Sequence, residues 1–338
     1  MIWMTWRQFR APASVTGGLL VVLLAGLALT WVDVSDLAAR AGYTGCQGDA
    51  CASAGKTFLQ SVQQNLAHDM HLAAIATLIL LPVLLGIFWG APLVARELES
   101  GTYRMVFSQT VSRGRWLLVK LVFGGVAAAL GTGLLSLMLS RWAQPIDAAS
   151  ADRLNPLVFA ARGLVPVGYA ALAFVVGVTA GLLLRRTVTA MAVTLLVVAG
   201  LQLAGPFLVR PLLADRVTTT TPLNVDGRFG ISMSEETKEM QIHVEPDVRG
   251  AWILSNTTVT PTGAEFRGPA DPTLCGPEAP RDNETCPLWL KKQNLGQQLT
   301  YVEGSQFWPL QWREFGLLIA LTATLSVFSL WWIRRRLA

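Results

Sequence analysis

Long uncharged runs alternate with short charged segments along this chain. The runs cover Ala13–Val32, Leu72–Ala95, Leu121–Ser140, Gly163–Leu184, Thr187–Val209 and Phe315–Ile333. Each holds about 19 residues or more, and a helix rising 1.5 Å per residue needs about 20 to cross a 30 Å hydrocarbon layer. Six membrane-spanning helices are expected. Ahead of them, MIWMTWRQFR places Ile2, Trp6, Phe9 and Ala13 at helical spacing, with Arg7 and Arg10 turned elsewhere. That pattern predicts an interfacial amphipathic helix over 1–12, against the plainer reading of a basic and aromatic anchor that only sets topology. A cleaved signal peptide competes for the first run. The run is longer than an ordinary h-region and no clear small-x-small site follows Val32 before the polar Asp33 to Asp36 stretch, so it is read as a retained span.

The segments between the runs differ in character. Asp33 to His71 reads as a polar loop with a helix from Gly55 to Met70. Pro82 sits at mid-depth in the second span, where it should kink the helix. Spans four and five are joined only by Leu184 to Val188, a tight hairpin around Arg185 and Arg186. From Arg210 to Arg313 the chain is rich in Thr, Pro, Asp and Gly, and TKEMQIHV and AWILSNTTVT carry β-favouring patterns. The expected fold is an all-α polytopic membrane protein with a small, partly β insertion between helices 5 and 6. Its parts are the helix over 1–12, spans one to five over 13–208 with a charged segment at 95–116, the insertion over 209–313, and span six with a basic tail over 314–338. There is no internal repeat and no heptad pattern.

Composition agrees: 52% of residues are hydrophobic and 14% charged, against about 25% charged in an average soluble domain. Basic residues orient the spans. An inside N-terminus places Arg7 and Arg10, then Arg96, Arg104, Arg113, Arg115 and Lys120, then Arg185 and Arg186, then Arg334, Arg335 and Arg336 on one side, in short segments. Both termini are expected in the cytoplasm of a multi-pass plasma-membrane protein. The net charge of +5 then reflects topology rather than nucleic-acid binding. Cys46 and Cys51 fall in the first outside loop, and Cys275 and Cys286 in the last. Two local disulfides are the economical reading, though sequence alone leaves the pairing open; the spacings do not form two C-x-x-C zinc knuckles.

Three stretches suggest chemistry. ACASAGKT, residues 50–57, approximates a phosphate-binding loop with Ala50 in place of the first glycine. No apolar strand precedes it, no second nucleotide motif accompanies it, and topology puts it outside, so it reads as a chance match. His68, Asp69 and His71 place two histidines one turn apart, but without H-E-x-x-H spacing they read as a polar cap where span two meets the outer interface. Ionisable groups within the spans are nearly absent, and Lys120 lies close enough to the inner edge to snorkel. Coupling to an ion gradient is therefore disfavoured. Energy for any transport should come from a partner binding the inside segment, where Val94, Leu98 and Met105 share one helix face and Gly101 and Thr102 interrupt it; a solvated loop carrying topology charges is the alternative.

At GAPLVARELESGTYRMVFSQTVSRGRWLLVK the chain resembles the permease subunits of ATP-binding-cassette transporters of the type-2 exporter class, as found in high-GC Gram-positive bacteria. The resembling positions are Gly90, Pro92, Arg96, Glu97, Glu99, Gly101 and Thr102, then Ser108, Gln109, Val111, Ser112, Arg113, Arg115 and Trp116. MTWRQFR, GLLLRRTVTAM and QFWPLQWRE fit the same picture. The resemblance implies a six-helix half-transporter that pairs with a second permease copy, as homodimer or related heterodimer, in contact with membrane lipid. It implies a separate cytoplasmic ATPase subunit that carries the ATP and Mg, with no cofactor in this chain. The role of coupling to that subunit carries over to Arg96, Glu97, Glu99, Gly101, Thr102 and Arg104. The 209–313 insertion departs from the compact loop of small family members. Two rival readings are a membrane-anchored sensor or assembly factor acting through the insertion, and a polytopic enzyme using His68, Asp69 and His71.

Overall fold

The helical stretches of spans one, two, three and six run past their uncharged runs at both ends, whereas the fourth begins at Val165, inside its run, and the fifth begins with its run at Thr187. The computed structural model describes residues 2–47, 50–103, 112–224, 229–233, 240–244, 248–268, 275 and 285–336. Among the described residues six helices are long and apolar enough to cross a membrane. The chain divides into a helical unit, Met1–Leu213 with Phe307–Ala338, and a second unit, Ala214–Gln306. The second unit thus begins and ends inside the 209–313 segment.

In the helical unit α1 (Ile2–Leu29) is one helix that includes Pro12, with no break between the amphipathic stretch and the first span. The side chains of residues 2–9 and 11 lie outside the described set. After Thr30, α2 (Trp31–Arg40) occupies the stretch expected as polar loop. Val34 and Ala38, one turn apart, are buried while Asp33, Asp36 and Arg40 face outward, so charge density hid a short amphipathic helix. Next come α3 (Ala50–Gln63) and α4 (Leu66–Leu84), the latter capped by Asn65 Oδ1, which accepts the Ala67 N–H at 3.1 Å. Pro82 lies inside α4, and a π-helical turn, Leu85–Gly90, follows before α5 (Ala91–Glu99). Proline has no N–H to give the ladder, which is already weakened where the wider turn begins.

The third span is α6 (Arg113–Trp142). Short helices α7 (Gln144–Ser150) and α8 (Pro156–Ala160) lead to the fourth span, α9 (Val165–Leu184), and the fifth, α10 (Thr187–Ala204). A second π-helical turn, Gly205–Val209, and the single turn α11 (Arg210–Leu213) complete the fifth span.

Span four is the centre of the helical unit and is buried on almost every side, packing on α5, α6, α10 and the sixth span. Small residues make this possible. Gly86 and Gly90, four apart on span two, face Gly177 and Gly181, four apart on α9. A Cβ on Gly86 would stand 2.8 Å from the Ala173 carbonyl, and one on Gly181 would stand 2.7 Å from the Ala91 carbonyl. Two G-x-x-x-G faces thus let the backbones touch, which in lipid substitutes for the hydrophobic drive available in water. Around them Leu85, Val94, Trp116, Phe174, Val178 and Ile333 form one buried cluster.

In the second unit, β1 (Val217–Pro222), β2 (Phe229–Met233), β3 (Met240–Val244) and β4 (Trp252–Val259) precede α12 (Thr285–Lys292) and β5 (Gly296–Val302). A three-stranded antiparallel sheet runs β1-β5-β4, and β2 pairs with β3. The two expected β stretches became β3 and β4. Asn256 of the Asn-Thr-Thr sequon is engaged between them, donating to the Val244 carbonyl at 2.9 Å and accepting from Gln297 at 2.5 Å. Cys275 is bonded to Cys286 and packs with Ile242, Val244 and Leu290. In the helical unit Cys46 is bonded to Cys51 across the entry to α3. The sixth span, α13 (Phe307–Arg336), begins eight residues before the uncharged run.

Candidate coupling site

At one end of the helical unit meet α5, the start of α6, the α9–α10 hairpin and the end of α13. The sequence VARELES determines the local arrangement. Val94 and Leu98, one turn apart, enter the core beside Trp116, Leu117, Leu182 and Ile333, which fixes the roll of α5 and decides where its charges point.

Glu97 turns toward α6. Its Oε1 lies 2.6 Å from Lys120 Nζ, which also donates to the Leu93 carbonyl at 2.9 Å and lies 4.4 Å from the centre of the Trp116 ring. The Lys120 side chain is 3% exposed and that of Glu97 is 12% exposed. Lys120 therefore does not snorkel to the interface. A carboxylate and a carbonyl within reach outweigh the headgroups, because a desolvated ammonium needs partners close at hand.

Glu99 turns the other way, toward the α9–α10 hairpin. Its Oε2 accepts the Thr187 N–H at 3.0 Å and the Thr187 hydroxyl at 2.7 Å. Arg186, the residue preceding α10, makes no side-chain cap, so a carboxylate from α5 caps α10 from outside its own chain segment. The hairpin is closed by Arg185 in the left-handed region at φ 54°, its N–H bonded to the Gly181 carbonyl. Glu97 and Glu99 thus tie α5 to the third and fifth spans.

The remaining coupling candidates form the end of α5. Ser100 donates through its hydroxyl to the Arg96 carbonyl at 2.8 Å and shares a hydroxyl contact of 3.0 Å with Thr102, while Gly101 takes φ 74°, which a side chain would resist. Arg96 itself is exposed. Arg104 and Met105 lie outside the described residues. Of the five candidates among the described residues, Arg96 presents its charge outward, whereas Glu97 and Glu99 bond to neighbouring helices.

Two further buried ion pairs escaped sequence reasoning. Arg162, between α8 and α9, holds both Asp147 oxygens at 3.2 Å and lies 2.8 Å from His71 Nε2. His71 is thereby drawn into an internal network rather than a polar cap, and neither His68 nor Asp69 joins it through a hydrogen bond. The neighbouring Asp152 carboxyl is pushed up by burial, against a bond from the Asn155 amide that pulls it down. Arg210 donates through Nε to Glu314 at 3.0 Å and covers the Phe159 ring at 4.1 Å, joining the fifth and sixth spans. Both arginines are at most 1% exposed. Arg162, Arg210 and Glu314 each sit directly beside an uncharged run and Asp147 lies farther out, so a count within the runs missed them; for the first three, Glu or Arg at a span's end was the available signal.

The ACASAGKT octet is helical throughout, opening α3. Gly55, Lys56 and Thr57 lie beyond the first turn of α3, where N–H groups serve the helix ladder; the Thr57 hydroxyl donates to the Ser53 carbonyl at 3.2 Å, and Gly55 packs against Tyr43. A phosphate cradle needs the N–H groups around the glycine and lysine free to converge, and here the helix takes them. Among the described residues no group of three His, Cys, Asp or Glu could hold a metal ion.

A family model described as ABC-2 membrane transporter related matches residues 17–210, more than half of the chain. The match takes in most of spans one and five, all of spans two to four, and the whole of α5. No curated protein and no solved structure matches the chain.

Proposed function

The chain belongs to the ABC-2 membrane transporter related family, and from that membership we propose that it is the permease subunit of an ATP-binding-cassette exporter moving a hydrophobic or amphipathic substrate. ATP is hydrolysed on a separate cytoplasmic subunit, and two permease copies, identical or related, enclose the path. Both termini and α5 face the cytoplasm of the plasma membrane, and the Ala214–Gln306 unit faces the exterior.

The observation that carries the reading is the bracing of α5. A load applied near Arg96 passes through Glu97 to Lys120 of span three, through Glu99 to Thr187 of span five, and through the Gly86 and Gly90 contacts to span four. Closure of two ATPase subunits against such a segment moves several spans together, because packed helices shift as rigid elements. The π-helical turn directly above α5 offers a place for the second span to yield.

Mild-detergent co-purification with identification of the bound ATPase, followed by substrate-stimulated ATP hydrolysis in liposomes, tests the assignment. Arg96→Glu reverses an outward charge without touching the Lys120 or Thr187 bonds, so it should weaken ATPase association or uncouple transport while the fold persists. Full association and full transport by this variant would sink the coupling role. The rival sensor or assembly-factor reading draws on the compactness of the Ala214–Gln306 unit. It would be favoured if purified protein carries no ATPase and loses its phenotype only when that unit is removed.

A further inference from the structure

An apolar groove of about 330 Å³ runs between α6 and α13 over a floor formed by α9. Gly125 and Ala129 give it depth on the α6 side and Val175 lies at its base. Thr322 and Ser326 line the other wall, yet both hydroxyls donate to carbonyls of their own helix, Leu318 and Thr322 respectively, so the wall presents no polar group in need of a partner. From Leu118 to Ala129 the groove follows α6 for about 16 Å at 1.5 Å per residue. That is close to the depth of one leaflet, half of a roughly 30 Å hydrocarbon layer.

The groove's mouth is cationic. On α6 the stripe through Leu118, Val122 and Gly125 continues one turn earlier to Arg115, and on α13 the stripe through Thr322, Ser326 and Leu330 continues one turn later to Arg334. Both arginines are exposed. Arg334 reaches across the opening of α6, where a Cβ on Gly114 would stand 3.0 Å from its Nε. The guanidinium thus sits beside a helix start, whose dipole adds positive potential. Among the described residues no carboxylate is within ion-pair distance of Arg115 or Arg334, and the sequence has no Asp or Glu between Glu99 and Asp147 or after Glu314.

We propose that this groove binds one anionic phospholipid, with an acyl chain along Leu118 to Ala129 and the headgroup phosphate held between Arg115 and Arg334. An uncharged groove wall of leaflet depth accounts for the chain, and the uncompensated arginines at one end account for the negative headgroup. The proposal requires only that the helices lie in a membrane and does not depend on which substrate, if any, is moved.

The test is native mass spectrometry of the full-length protein in detergent, titrated separately with phosphatidylglycerol and phosphatidylcholine of matched chains. One phosphatidylglycerol should be retained at least tenfold more strongly than phosphatidylcholine. The double variant Arg115→Gln, Arg334→Gln should lower that retention about thirty-fold, at about 1 kcal/mol per arginine near an anionic surface. Gly125→Leu should also displace the lipid by filling the groove; a Cβ there meets only Phe174 Cδ1 at 3.8 Å, so the fold should tolerate it. Equal retention of the two lipids, or unchanged phosphatidylglycerol retention in the arginine double variant, would overturn the proposal. So would conversion of a dimer to a monomer by Gly125→Leu at any lipid concentration, since a second copy would then be the occupant. Unimpaired ATPase association in the arginine variant separates this result from the transport reading.

Discussion

Replacing Lys120 with methionine separates the two fates available to a lysine near a membrane boundary. If its ammonium reached the headgroups, as its position in sequence suggests, the change would remove an exposed charge and alter stability by well under 1 kcal/mol. The structure instead places Nζ 2.6 Å from Glu97 and 2.9 Å from the Leu93 carbonyl, with the side chain 3% exposed. Methionine keeps the volume and removes the charge, so Glu97 stays behind without the ammonium that compensates it. Breaking a buried pair from one side costs about 3–5 kcal/mol, or about two to three and a half decades in the folded-to-unfolded ratio at about 1.4 kcal/mol per decade. The double variant Glu97→Gln, Lys120→Met should recover more than half of that loss, because a neutral pair has no charge to desolvate. Equilibrium unfolding in mixed micelles titrated with dodecyl sulfate, followed by tryptophan fluorescence, reads both values. A single variant costing less than 1 kcal/mol, or a double variant whose loss equals the sum of the singles, would show that the bond is not made in the membrane-embedded protein.

Gly177→Ala drives a methyl into the Gly86 carbonyl and to 2.8 Å from the Ala91 N–H, and should destabilise by about 2 kcal/mol or more. Gly200→Ala, with nothing within 4 Å, should be neutral or slightly stabilising in the same unfolding assay. Thiol alkylation with mass analysis should find no reactive cysteine before reduction. Loss of the Cys275–Cys286 bond, whose sequence separation is 11 against 5 for Cys46–Cys51, should cost roughly 3 kcal/mol against roughly 2, read as faster proteolysis. Lys56→Ala should leave ATP hydrolysis by the assembled complex unchanged, and a dead complex would overturn both the helical reading of that octet and the assignment of ATPase chemistry to a partner.

The six apolar helices, the hairpin at Arg185 and Arg186, the β content of the later segment and the two local cysteine pairs were legible in the sequence, because each depends on local composition and short spacing. A run of about 20 uncharged residues is compelled to become a helix in lipid whatever surrounds it, since every backbone group must be satisfied internally. The turn after Glu99 was likewise marked by Gly101. What the charged residues do was not legible. Glu97, Glu99, Lys120, Arg162, Arg210 and Glu314 look alike as interfacial charges, and an exposed end and a buried ion pair have the same local sequence. Only packing decided that Val94 and Leu98 would roll α5 so that Glu97 meets Lys120 and Glu99 caps a helix 88 residues away. The two G-x-x-x-G faces were written in the sequence, but their meeting, Gly86 and Gly90 against Gly177 and Gly181, needed the tertiary arrangement to bring span two against span four. Composition therefore determined which segments lie in the membrane. Side-chain partnership across helices, which depends on distances that sequence separation does not encode, decided how those segments are locked together.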